Sequence, residues 1–317
     1  MTTTAHPFRI PMVTRFRGVA ERSGILLHGP AGWGEFSPFP EYPPEVAARW
    51  LAAAREAAET GWPPPLRDRI PVNATVPAVG PDEARRIVEH SGCTTVKVKV
   101  AEGGQTEAGD LARVEAVRDA LGPAGRIRVD ANGAWDVDTA ARMLGLLRRF
   151  DLEYAEQPVA TLEEMARLRR MVDVPLAADE SVRSAEDPLR VAGLDAADIV
   201  VLKVQPLGGV RAALRVAEAA GLPVVVSSAI ETSVGLAAGV ALAAALPELP
   251  YACGLGTRWM LAGDVVRTPL VPVDGFVPVA APDVDEADLA RWAPEPPLAA
   301  DLRARLDAAA RASGEVR

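Results

Sequence analysis

The sequence predicts an α/β fold, a (β/α)8-type barrel preceded by a small α+β region, and three observations support this. First, short β-branched runs recur at 71–76, 94–100, 126–130, 153–156, 174–178, 198–203, 223–228 and 250–253. Ala/Arg/Leu/Glu-rich stretches of helical spacing separate them, as expected for alternating strands and helices around a parallel sheet. Second, charged residues close or border these runs at regular steps. From Lys99 the next sites are Asp130, Glu156, Asp179 and Lys203, separated by 31, 26, 23 and 24 residues. Each step accommodates one strand, one helix and two loops, which places the five sites at the same end of successive strands. Third, no Gly-x-Gly-x-x-Gly follows the first strand, which argues against a doubly wound dinucleotide-binding sheet.

The elements follow in order. Ile25-Leu26-Leu27-His28 reads as a strand, Gly29-Pro30-Ala31-Gly32 as a turn and Trp33-Gly34-Glu35-Phe36 as the returning strand of a hairpin. Pro43-Pro44 precedes a helix over 45–59, with Pro44 in its first turn. Trp62-Pro63-Pro64-Pro65 is a stiff linker. The barrel rhythm then occupies 71–274. Helical spacing covers 111–121 and 139–150, Asp136-Val137-Asp138 reads as a helix start, and Thr161-Leu162-Glu163-Glu164 as a capping box. The Pro/Ala/Asp-rich tail, 275–317, is expected to pack back on residues 1–70 and to end in a helix near 299–312.

Bulk properties narrow the function. Of 317 residues 49% are apolar, so the chain is globular, and a net charge of −9 argues against nucleic-acid or anionic-membrane partners. Two cysteines, Cys93 and Cys253, make no disulfide framework and fit a reducing cytoplasm. No basic stretch followed by an apolar core opens the chain, and the longest apolar run, 234–246, is too short to span a bilayer. A monomer is compatible with the sequence, which does not itself set an oligomeric state.

Active sites of such barrels form at the carboxyl ends of the strands. Asp130, Glu156 and Asp179 fall there on strands three, four and five. One such acid alone reads as a helix cap or surface charge, but three on consecutive strand ends suit a hard cation. Mg2+ would take an oxygen from each, with Mn2+ as the alternative. Lys97 and Lys99 point to one face of strand two. Both faces of a barrel strand are covered, so paired lysines there need an acidic partner or a wet end. Lys203 ends the apolar run Ile199-Val200-Val201-Leu202 on strand six, where a lone charge is costly. It can act as a cation facing a substrate, or as an acid or base.

These motifs together resemble the enolase superfamily: Lys97-Val98-Lys99, Asp130-Ala131-Asn132-Gly133-Ala134-Trp135, Tyr154-Ala155-Glu156-Gln157-Pro158, Ala178-Asp179-Glu180-Ser181 and Leu202-Lys203. The Lys-x-Lys with an opposite lysine is similar to its muconate-lactonizing-enzyme subgroup. The resemblance covers 71–257 and extends to residues 8–70, where the family carries a capping domain. It implies Mg2+ held by Asp130, Glu156 and Asp179, and Lys99 as the base removing a proton α to a carboxylate. It places Lys203 across the substrate, has Lys97 tune Lys99 and contact the substrate carboxylate, and puts Asn132 and Glu180 behind the ligands and lysines. A small-molecule carboxylate is the implied substrate.

Within the subgroup the resemblance also discriminates among reactions. Members with a His–Asp dyad are disfavoured, because His6, His28 and His90 lie at no barrel strand end. Dipeptide epimerases carry Asp-x-Asp where this chain has Cys253-Gly254-Leu255-Gly256-Thr257. That segment and the stretch from Ser227 to Gly235 are similar to members that dehydrate 2-succinyl-6-hydroxy-2,4-cyclohexadiene-1-carboxylate to 2-succinylbenzoate, a step towards menaquinone. Racemases of N-succinylamino acids and muconate cycloisomerases are the alternatives, and a non-catalytic metabolite-binding barrel is the reading from another class. Ser228, Gly254 and Thr257 are the implied substrate contacts. Residues near Arg22-Ser23-Gly24 and 36–39 are expected to form a lid.

Overall fold

The computed structural model describes residues 3–16, 18–182 and 187–314. It opens with an antiparallel sheet of β1 (Thr4–Phe16), β2 (Val19–Gly29) and β3 (Gly32–Phe36), in that spatial order. The expected hairpin is β2 and β3, with Ile25 opposite Phe36 and Gly29 opposite Gly32. The long strand β1 was not foreseen, because Pro7 and Pro11 interrupt its alternation. An edge strand tolerates both, since one side of its backbone needs no donors. Helix α1 (Pro44–Arg55) follows, with Pro44 in its first turn, and a wider turn carries it to Thr60. It lies so close to β3 that a Cβ on Gly34 would overlap the Ala54 carbonyl.

A second sheet is parallel and has seven strands: β4 (Ala74–Val76), β5 (Thr95–Lys99), β6 (Arg126–Asp130), β7 (Leu152–Glu156), β8 (Leu176–Ala178), β9 (Ile199–Leu202) and β10 (Val224–Val226). They neighbour one another in chain order. Helices α2 (Pro81–Ser91), α3 (Glu107–Leu121), α4 (Val137–Leu147), α5 (Leu162–Arg169), α6 (Asp187–Leu194), α7 (Val204–Leu207), α8 (Val210–Ala220) and α9 (Ser233–Ala245) connect or follow them. Asp136 caps α4 by accepting from Thr139 N, and Thr161 and Glu164 form the expected capping box of α5. Every residue of β5 is buried, the lysines included, as for a strand covered on both faces.

The eighth unit differs from expectation. The run at 250–253 makes no regular strand, and a single short 3-10 turn at Arg258–Met260 stands where a strand-eight helix would begin. Pro250 and Gly254 weaken ladder formation. The segment still joins the two edges of the sheet. Cys253 N–H donates to Pro71 O at 2.7 Å and Gly254 N–H to Val226 O at 2.8 Å. Cys253 therefore bridges Val72, and Gly254 bridges Ser227.

The tail completes both layers. A short strand, Phe276–Pro278, pairs antiparallel with Arg69–Pro71, and α10 (Glu286–Arg291) leads to α11 (Pro296–Ala312). Leu302, Ala309 and Ala310 of α11 share one buried cluster with Ile25, Phe36, Trp50 and Leu51. Two buried charges tie the first sheet to the barrel. Glu35 accepts from Thr232 N (3.1 Å), Thr232 Oγ1 (2.5 Å) and Gly235 N (3.0 Å), and so places a carboxylate at the positive end of α9. Arg22 donates from Nε to Ile230 O at 2.9 Å and from Nη2 to Ser37 O at 2.5 Å.

Candidate active site

Parallel pairing brings the strand-end charges into lateral register. Lys99 lies opposite Asp130 and Asp130 opposite Glu156, with Asp179 just beyond β8 and Lys203 just beyond β9. Counting the 253–254 segment as the eighth position, β5 and β9 are four places apart, so their lysines stand on opposite walls. Between them lies a cavity of about 350 Å³, lined by Lys97, Lys99, Asp130, Asp179, Lys203, Ser228, Gly254 and Thr257 among others. All eight are among the residues singled out from the sequence. Glu156 and Asn132 lie behind this lining, and Glu180 is on it.

Each ammonium has a carboxylate. Lys97 Nζ lies 2.8 Å from Glu156 and 3.1 Å from Asp130. Lys99 Nζ donates to Asp130 at 2.5 Å and to Asn132 Oδ1 at 2.8 Å, and Asn132 Nδ2 donates onward to Glu180 at 3.2 Å. Lys203 Nζ reaches both oxygens of Asp179, at 2.6 and 2.5 Å. Among the described residues no three acidic, histidine or cysteine side chains are grouped so as to enclose an ion. In this arrangement the three carboxylates are each drawn to a lysine ammonium rather than to one another.

Burial sets the proton affinities. Burial raises Glu156 to about 7, with Asp130 and Asp179 adding to the rise against Lys97. Burial also acts to raise Asp130, but Lys99 and Lys97 outweigh it and hold this carboxyl below its usual range. Burial lowers Lys99, with Lys97 adding to the effect against Asp130. For Lys97 burial works in the same sense but is overcome by Glu156 and Asp130, which hold it well above the ordinary lysine value. One lysine of the pair is therefore biased towards the free amine and the other towards the cation. The donor set, three buried hard oxygens on adjacent strands with the Glu156 carboxyl driven up by burial and by its acidic neighbours, fits a hard divalent cation.

The backbone is bent where the chain leaves these strands. Ala101, Asn132, Gln157 and Ile230 all adopt left-handed φ, at 60°, 48°, 37° and 62°. Such values are uncommon for side chains other than Asn and Gly, and for a β-branched isoleucine they signal strain held by the surroundings. Gln157 shows how one turn is held: its Oε1 accepts from Asp179 N at 3.0 Å and its Nε2 donates to Ser181 Oγ at 2.8 Å.

On the far wall, Ser228 Oγ and Thr257 Oγ1 are 2.7 Å apart. β2 contributes Val19, the loop between β3 and α1 contributes Phe39, Glu41 and Tyr42, and α1 contributes Trp50. Of the expected lid, only Phe39 faces the cavity. Arg22, Ser23 and Gly24 are paired within β2, and Phe36 is buried in the capping core. The cap residues other than Phe39 were missed. Thr75 was missed too, although it lies opposite Lys97 in the ladder and its polar side chain near the end of the first run was the available signal.

A family model described as "Enolase C-terminal domain-like" matches residues 81–283, and one described as "Enolase N-terminal domain-like" matches 8–58. The chain belongs to the enolase superfamily. Among its relatives, the o-succinylbenzoate synthase of Thermobifida fusca is 68% identical over 312 residues, 98% of this chain and 97% of the relative. That of Mycolicibacterium smegmatis is 53% identical over 294 residues, 92% of this chain and 90% of the relative. Among solved structures, a muconate lactonizing enzyme from Pseudomonas fluorescens complexed with muconolactone superposes with a TM-score of 0.79 at 24% identity, covering 92% of this chain and 98% of its own. An N-succinyl Arg/Lys racemase from Bacillus cereus gives 0.79 at 21% identity, with the same coverage. These two likenesses speak to the fold.

Proposed function

We propose that this chain is an o-succinylbenzoate synthase, a hydro-lyase that converts 2-succinyl-6-hydroxy-2,4-cyclohexadiene-1-carboxylate to 2-succinylbenzoate and water. The observation that carries this reading is near-full-length identity of 68% to a relative of that name. The site's chemistry agrees with it. Asp130, Glu156 and Asp179 would hold Mg2+, whose charge supplies stabilisation for the dianion that forms when a proton α to a carboxylate is lost. Mn2+ presents the same preference for oxygen ligands.

Lys99, as the free amine, takes the ring proton α to the carboxylate. The electron pair left on that carbon forms the new ring double bond as the neighbouring C–O bond breaks. The ammonium of Lys99 returns its proton to the departing hydroxyl on the same face, so water leaves and the base is regenerated. Lys203 faces the opposite side of the ring as a cation and stabilises the developing negative charge. Lys97, paired with Glu156 and Asp130, keeps a second positive charge beside the substrate carboxylate. Asn132 orients Lys99, and Glu180 orients Asn132. Ser228, Gly254 and Thr257 bound the space left for the succinyl arm. The two unpaired buried thiols, Cys93 and Cys253, suit a cytoplasmic location.

Absorbance loss of the cyclohexadiene substrate tests the reading, with polarimetry of N-succinylamino acids separating dehydration from racemisation. Lys99→Ala should lower turnover by at least about 10³-fold, the scale of a lost general base in a concerted site, while leaving metal binding nearly intact. Near-normal turnover would sink the base assignment. Chelation should abolish activity and added Mg2+ restore it; full activity after chelation would contradict the metal site.

A further inference from the structure

Residues 37–43 join β3 to α1 and supply the aromatic part of the cavity wall, Phe39 and Tyr42. Within this loop Tyr42 N–H donates to Phe39 O at 3.0 Å and closes a turn. A residue from the other end of the chain holds it from outside. Arg305, on α11, donates from Nη1 to Pro38 O at 3.0 Å, and from Nη2 to Tyr42 O at 3.2 Å and to Phe39 O. From the barrel side, the Arg22 guanidinium stacks 4.3 Å from the centre of the Phe39 ring while it donates to Ser37 O. Trp50 supports both rings, 6.0 Å from Phe39 and 6.3 Å from Tyr42 between centroids. The aromatic wall is thus set between two guanidinium groups, and one of them, Arg305, bridges three carbonyls of a single turn.

We propose that Arg305 is a positioning residue of the active site: it holds Phe39 and Tyr42 against the cavity and thereby sets how tightly the non-reacting arm of the substrate is bound. This rests on the functional reading above, in which that arm is the succinyl group. Arg305 touches no reacting atom. A planar fork is required, because its two terminal nitrogens serve carbonyls on both sides of the turn, which a single lysine ammonium cannot span. Freed from the fork, the loop populates the wall conformation only part of the time, and apparent affinity falls by that fraction. The lysines at the far side of the cavity keep their partners, so the saturated rate changes little.

Steady-state kinetics of Arg305→Ala, Arg305→Lys and Arg303→Ala in the full chain test this. Arg303 is exposed on the same helix and controls for helix damage. Arg305→Ala should raise KM about tenfold with kcat within about twofold, Arg305→Lys should recover only part of the loss, and Arg303→Ala should match the parent. An unchanged KM in Arg305→Ala, or a loss confined to kcat, overturns the proposal, as does an equal loss in Arg303→Ala. If Arg305→Ala does not fold, Arg305→Lys carries the same KM test. Absence of dehydration by the parent protein would count against the functional reading instead. Hydrogen exchange at the Tyr42 amide then decides the positioning role: faster exchange in the Arg305 variants supports it, and unchanged exchange overturns it.

Discussion

Replacing Glu35 by glutamine should change how stability depends on pH, and the sign and size follow from its surroundings. Glu35 is buried between β3 and the start of α9, and burial raises its carboxyl from 4.5 to about 7 against the hydrogen bonds from Ser37 and Thr232. The charged groups facing it are Arg22 from β2 and Glu231 from the turn before α9. A folded-state value above the unfolded one means that the folded chain holds the proton more tightly. Stability from this group is therefore complete below about 4.5, falls as pH rises, and reaches its minimum above about 7. At about 1.4 kcal/mol for each tenfold change in proton affinity, the loss is about 3 kcal/mol. For a chain of 317 residues that corresponds to about 5 °C in Tm. Glutamine cannot ionise, so Glu35→Gln removes this component and leaves the contribution of Glu156 in place. Thermal unfolding from pH 4.5 to 7.5 should show the parent losing about 5 °C more than the variant, with a slope difference of about one proton. Parallel pH profiles for parent and variant would refute the reasoning.

Other outcomes follow from single contacts. Asp130→Asn should weaken Mn2+ binding by more than about tenfold in calorimetric titration, because a neutral amide replaces the carboxylate shared by Lys97 and Lys99. Gly34→Ala should cost at least about 2 kcal/mol by denaturant unfolding, since the new Cβ forces β3 away from the Ala54 carbonyl. Leu302→Ala should cost about 2–4 kcal/mol, because this side chain is 7% exposed in the cluster shared with Trp50 and Leu51.

The parts of this fold legible in the sequence were those built from local signals. Thr161 and Glu164 announce the start of α5 within four residues, and the regular spacing of Lys99, Asp130, Glu156, Asp179 and Lys203 reports their shared strand ends. What escaped depends on contacts distant along the chain. β1 is a strand because β2 pairs with it, not because its own proline-broken pattern demands it. The segment at 253–254 joins the sheet through two edges rather than through a ladder of its own. Glu35 sits only two residues before Ser37 in an ordinary hairpin strand, and its partners at Thr232 and Gly235 lie some two hundred residues on. Arg305 looks like one more polar position on an amphipathic helix until the loop at 37–43 is placed beneath it. Which lysine pairs with which carboxylate, Asp130 with Lys99 and Asp179 with Lys203, also lies beyond what the spacing of the ladder reports.

The cluster beneath the first sheet has a consequence for how the protein is made. β1, β2, β3 and α1 leave the ribosome before the barrel, and α11, which finishes their core with Leu302, Ala309 and Ala310, leaves after it. Domains fold as units during synthesis when all their parts have emerged, and here the layer made before the barrel must wait for a helix made after it. A nascent chain can bring its lysines and carboxylates together on the barrel strands before the aromatic wall above them exists. Catalytic competence thus waits for α11, whose last turns settle against Trp50.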